Sequence, residues 1–91
     1  MVKGIHPKWQ QVLEWVDQIA RRYEGELYDS RVGRSWGPGQ AICAEAYGPD
    51  WIHSEEFKRA DTVGLDEAPD EELYQAAKRL VQGPPPWARR D

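Results

Sequence analysis

The sequence predicts one small α+β domain with two helices packed on one face of an antiparallel sheet, and three observations lead to this class. The chain has 91 residues, a length that fits a single domain. Apolar residues recur with helical spacing near both ends of the chain. Between them, apolar and polar residues alternate and glycines interrupt, which is typical of short strands and turns. The expected order is helix, strand, strand, a short strand or helix, and a last helix, within residues 1–83.

The first helix is predicted from about Pro7 to Glu24. Pro7 suits the first helical position, where its missing N–H has no intrahelical partner to lose. Gly25 suits a left-handed cap at the other end. Successive residues of a helix are ~100° apart. The residues that therefore share one apolar face are Trp9, Val12, Leu13, Val16, Ile19, Ala20 and Tyr23.

The sheet is predicted from two segments. Glu26–Val32 alternates in polarity, and Gly33–Gly39 is predicted as a loop because it holds three glycines and a proline. In Gln40–Tyr47 the alanines favour a helix, whereas the short length and the flanking glycines favour a strand. We predict a strand that pairs back on the first. In the first strand, the residues predicted to face inward are Tyr28, Ser30 and Val32.

The segments after Tyr47 are predicted to form short elements, a last helix and a tail. Trp51–His53 is a short apolar patch that is compatible with a third strand. Ser54 is predicted as the N-cap of a short helix because acidic residues follow it. The last helix opens at Pro69. Residues 84–91 form a proline-rich basic tail that we expect to be mobile unless Trp87 docks. The predicted core is Trp9, Val12, Leu13, Val16, Ile19, Tyr23, Tyr28, Val32, Ile42, Ala44, Trp51, Phe57, Leu73, Ala77 and Leu80.

Composition excludes several classes of protein. A single cysteine cannot form an internal disulfide, and one cysteine with two histidines cannot complete an ordinary zinc site, so we expect no metal or cofactor. No apolar run approaches the ~18 residues that span a membrane. The first seven residues lack the apolar core of a signal peptide. We therefore expect a cytoplasmic protein without a membrane partner.

Charge is unevenly distributed along the chain. Residues 35–82 hold ten acidic and four basic residues, whereas the whole chain has a net charge of −4. The densest acidic run is Asp66–Glu72. Acids at a helix start interact favourably with the positive end of its dipole. An acidic surface also attracts basic partners and disfavours nucleic acid.

Five tryptophans are many for so short a chain. Trp9 and Trp51 fit the predicted core, but periodicity does not account for the other three, and tryptophan is enriched among interface anchors. We therefore predict a small, non-enzymatic protein-binding or regulatory module, similar in style to inhibitors and antitoxins, that docks through an acidic face and aromatic anchors. A homodimer is compatible with the sequence, because short sheets have free edges. The predicted binding residues are Trp15, Arg34, Trp36, Asp66, Glu67, Asp70, Glu71 and Trp87.

Two alternative functions rest on other residues. A cysteine-dependent enzyme would use Cys43 with His53, if the segments that carry them form a hairpin. The small apolar neighbours of Cys43 favour a structural role instead. A single-strand nucleic-acid binder would use Arg31, Arg34 and Trp36, because guanidinium and indole groups stack on bases.

Overall fold

The computed structural model describes residues 4–88, and within them the fold has four α-helices and one two-stranded antiparallel sheet. The predicted α+β class and the helix–strand–strand–helix order are confirmed. In chain order the elements are α1 (Pro7–Arg22), β1 (Leu27–Asp29), β2 (Arg34–Trp36), α2 (Pro38–Tyr47), a 3-10 turn (Trp51–His53), α3 (Glu55–Asp61) and α4 (Glu71–Gln82).

The β-hairpin lies earlier in the chain than predicted. Strand β2 comes from the glycine-rich segment, and it pairs with β1 so that Leu27 lies opposite Trp36 and Asp29 opposite Arg34. Gly33 closes the turn at a φ of +65°, and its N–H donates to the Asp29 carbonyl at 2.9 Å. The glycine-rich loop therefore contains a strand as well as a turn.

The predicted inward face of the first strand is wrong. Leu27 and Asp29 are the buried residues of β1, whereas Tyr28 and Val32 are each 41% exposed and Ser30 is exposed too. The error arises because Asp29 occupies an inward position, which a hydropathy pattern assigns to solvent.

The prediction of a strand at Gln40–Tyr47 is also wrong, because this segment forms most of α2. Pro38 opens the helix, and the Gln40 side chain accepts a hydrogen bond from the Gly37 N–H at 3.1 Å. The helix is stabilised by close packing against α4, for which small side chains are needed. Four alanines of the two helices are fully buried: Ala41, Ala44, Ala76 and Ala77.

The short elements that follow are helical. Trp51–His53 forms a 3-10 turn, so the alternative of a third strand does not apply. The predicted cap of α3 is confirmed, since the Ser54 Oγ accepts from the Phe57 N–H at 2.9 Å. Helix α4 begins at Glu71, two residues later than predicted, with Asp70 as its N-cap and Pro69 buried before it.

The core lies where α1, α2 and α4 meet, around Ile19, Ile42 and Leu80. Leu13 was expected there but is 45% exposed, because α2 and α4 cover only part of the apolar face of α1. Tyr28 and Val32 are the other predicted core residues that the fold leaves exposed.

The C-terminal segment docks on the hairpin as far as the structure describes it. The Trp87 carbonyl accepts from the Ser30 N–H at 3.2 Å and from the Ser30 hydroxyl at 2.6 Å. Ala88 forms a bridge to Asp29. The Trp87 side chain is only 9% exposed. The rest of the predicted mobile tail, residues 89–91, lies outside the described residues.

Candidate functional site

Two of the three predicted aromatic anchors belong to the interior. Trp36 is 6% exposed, and Trp87 is buried as described above. Neither residue is exposed as a surface anchor in this fold, because the hairpin and the C-terminal segment fold back on the helices. Trp15 is half-buried, with its ring centroid 5.1 Å from that of Tyr74.

A buried carboxylate holds the hairpin in this position. Asp29 is fully buried, and its two oxygens accept from the Arg31 guanidinium at 3.0 and 2.9 Å, from the Arg31 N–H at 2.9 Å and from the Trp36 indole at 2.8 Å. Burial alone would raise the pKa of Asp29, but the hydrogen bonds from Arg31 and Trp36 together outweigh it and lower the pKa below its ordinary value of 3.8. The group is a structural anion rather than a proton donor.

The same cluster extends to the C-terminal segment. The Arg31 guanidinium lies 4.6 Å from the centroid of the Trp87 ring, and the Trp87 indole donates to Glu45 at 2.8 Å. Glu45 also pairs with Arg79 at 2.9 Å. These contacts join the hairpin, α2, α4 and the C-terminal segment into one network, whose role is to hold the fold together.

The residues of the predicted nucleic-acid binder are engaged within the domain. The charge of Arg31 is compensated by Asp29, and the Trp36 indole is covered. Arg34 is exposed, with its guanidinium 4.7 Å from the Trp36 ring centroid. An open stacking surface of cations and rings is therefore not assembled by these three residues.

The predicted acidic face spans the turn before α4 and the start of that helix. Asp70 accepts from the Tyr47 hydroxyl at 2.8 Å, and Glu71 lies 3.6 Å from the Lys8 ammonium. The Tyr47 pKa lies far above its ordinary range, mainly because the hydroxyl is buried and secondly because it is hydrogen-bonded to Asp70. Asp66 and Glu67 lie exposed in the turn before α4, where the Glu67 N–H donates to the Gly64 carbonyl at 3.0 Å.

The predicted Cys43–His53 pair lacks the hairpin that it requires, since both segments are helical. Burial, together with the nearby charge of Asp61, raises the pKa of the Cys43 thiol to about 11. A nucleophilic cysteine needs the opposite setting, electropositive and accessible. His53 is exposed at the end of the 3-10 turn.

An open apolar groove between α1, α2 and α3 is the site that sequence reasoning missed. Its volume is about 340 Å³. Small residues on two of its walls, Gly39 and Ala60, leave the space unfilled. The full lining is Trp9, Val12, Leu13, Val16, Gly39, Ile42, Cys43, Phe57, Ala60, Asp61, Val63, Leu65 and Leu73.

Two leucines of the groove remain exposed. Leu13 of α1 is 45% exposed and Leu65, in the segment after α3, is 50% exposed. The position of Leu65 is fixed by its carbonyl, which accepts from the His6 N–H at 2.7 Å. The Trp9 indole N–H is buried without a hydrogen-bond partner. The only signal in the sequence was Leu13 on the apolar face of α1, which does not tell which part of that face stays open.

Comparison with protein-family models, with curated proteins and with solved structures found no significant match to this chain. Among residues 4–88, no helix combines the length and the apolar character needed to cross a membrane. The same residues contain no grouping of three or more histidine, cysteine, aspartate or glutamate side chains suited to a metal ion.

Proposed function

We propose that this chain is a non-enzymatic protein-binding module whose docking site is the apolar groove between α1, α2 and α3. The observation that carries the proposal is the open groove of about 340 Å³ with Leu13 and Leu65 half exposed within it. Contiguous exposed apolar surface marks an interaction site, and amphipathic segments of partner proteins bind by placing apolar side chains in such grooves.

The energetics favour a macromolecular segment that covers these leucines. Full burial of a leucine contributes ~1.5–3 kcal/mol relative to full exposure, so completing the burial of Leu13 and Leu65 contributes about 1 kcal/mol each. That corresponds to about fivefold in affinity for each residue. An extended apolar surface on the partner is needed to cover both at once.

The test is a selection of random peptides displayed on phage against the immobilised protein. We expect the selected peptides to lose about tenfold or more in affinity when Leu65→Asp places a carboxylate in the groove. The matched control is Ile52→Asp, because Ile52 is 58% exposed and does not line the groove. Circular dichroism and urea unfolding check that both variants keep the fold.

Three results would overturn the proposal. The first is a selection that enriches no peptide. The second is an equal loss of affinity in Leu65→Asp and Ile52→Asp. The third is a homodimer of the unmodified chain, seen by analytical ultracentrifugation, that Leu65→Asp dissociates, because the groove would then be filled by a second copy.

A further inference from the structure

Asp61 places a negative charge in the groove. It is the last residue of α3, and among the described residues that line the groove it is the only one with a charged side chain. Its carboxylate is exposed, and it lies close enough to Cys43 on the opposite helix for its charge to act on the thiol. An occupant of the groove therefore meets a negative charge against otherwise apolar or weakly polar walls.

Two aromatic rings also favour an occupant with a cationic side chain. Trp9 and Phe57 line the groove beside the aliphatic residues. The faces of aromatic rings attract cations, and lysine and arginine lay their aliphatic stems along apolar surfaces while their charged heads reach a polar group. Apolar walls, two rings and one carboxylate together match such a side chain better than a purely apolar one.

We infer that the segment bound by the groove carries a lysine or arginine beside its apolar side chains, with the cationic head paired to Asp61. This inference rests on the proposed function and names the chemistry of the partner: a basic, amphipathic protein segment. An acidic segment is disfavoured at the same site, because like charges repel where water is partly excluded.

The same peptide selection tests the inference when it is repeated on charge variants. Peptides selected on the unmodified chain are expected to share a lysine or arginine at one recurring position. Asp61→Asn is expected to weaken them about fivefold, and the weakening is expected to shrink at high salt. Asp61→Lys is expected to select an acidic residue at that position. Asp50→Asn is the matched control, since Asp50 is an exposed carboxylate outside the groove and the change in net charge is the same.

The outcomes separate this inference from the proposed function. If peptides bind and Leu65→Asp abolishes binding, but no cationic position recurs, the inference is wrong and the groove remains a docking site. Equal effects of Asp61→Asn and Asp50→Asn would refute the pairing in the same way. A selection that yields no binder removes both proposals.

Discussion

Replacing Asp29 with asparagine tests whether the buried carboxylate anchors the hairpin. Asparagine keeps the size of the side chain but turns one acceptor oxygen into an NH₂ donor. If the remaining oxygen keeps the bonds to the backbone and Nε of Arg31, the new NH₂ faces Arg31 Nη2 and Trp36 Nε1, which now lie 2.9 and 2.8 Å from Oδ2. Donors then face donors at two contacts.

The loss in the free energy of unfolding depends on how exposed each unpaired donor is. Trp36 is almost fully buried, so its unpaired indole N–H costs about 1–3 kcal/mol. The Arg31 side chain is 30% exposed, so water replaces part of what it loses and about 1 kcal/mol is the appropriate figure. Asp29→Asn is therefore expected to lower the free energy of unfolding by about 2–4 kcal/mol, from a total of ~5–15 kcal/mol for a domain.

Urea unfolding followed by tryptophan fluorescence at pH 7 measures this loss, with Asp50→Asn as the control. The pH dependence gives a second readout. Because the pKa of Asp29 is lowered in the folded chain, its contribution is complete above the ordinary value of 3.8 and is lost as the pH falls through the folded value. The difference in the free energy of unfolding between the unmodified chain and Asp29→Asn should therefore narrow below about pH 4. A loss under ~1 kcal/mol at pH 7, or a difference that does not narrow, would refute the reasoning.

Three further predictions concern other parts of the chain. Gly39→Ala should raise the free energy of unfolding by about 0.5–1 kcal/mol in urea titrations, because a Cβ there meets nothing within 4 Å and alanine favours the helix; destabilisation would contradict this. Trp87→Ala should cost about 3–5 kcal/mol and speed hydrogen exchange of the Ser30 amide. Trp87→Phe keeps an aromatic ring but loses the bond to Glu45 and part of the buried ring, so it should cost less, about 1–2 kcal/mol. Cys43 should react with iodoacetamide at pH 8 about 100-fold more slowly in the folded chain than in urea, because its pKa lies near 11 rather than 9.0. His53→Ala should leave that rate unchanged, and a folded rate equal to the unfolded one would show that the thiol is not protected.

Local patterns in the sequence sufficed for the helices with clear signals. Helix α1 starts at Pro7 as predicted and ends at Arg22, two residues before the predicted end. Ser54 caps α3 as predicted. A long apolar stripe and a hydroxyl followed by acids are both properties of neighbouring residues, so no knowledge of the rest of the fold is needed to interpret them.

The elements that the sequence failed to predict depend on distant residues. Gln40–Tyr47 has no decisive periodicity, and its helix is stabilised by the alanines of α4. The burial of Asp29 requires Arg31 and Trp36 to be placed around it, which hydropathy cannot anticipate.

The groove could not be predicted from the sequence for the same reason. Leu13 belongs to the apolar face of α1, but only the arrangement of α2, α3 and the following segment decides that this part of the face stays open. Asp61 is one acidic residue among 16 acids, and nothing in its neighbours marks it.

The docking of Trp87 on the hairpin also bears on how the chain folds during synthesis. Ser30 and its acceptor, the Trp87 carbonyl, are 57 residues apart. A nascent chain that ends at Gly83 already holds every helix and strand found within residues 4–88, yet the Ser30 amide has no acceptor and the ring that covers Arg31 has not been made. The hairpin is thus translated early and completed late. A chain arrested after α4 is expected to behave as a folding intermediate with an open hairpin, and native packing follows only once residues 84–88 have left the ribosome.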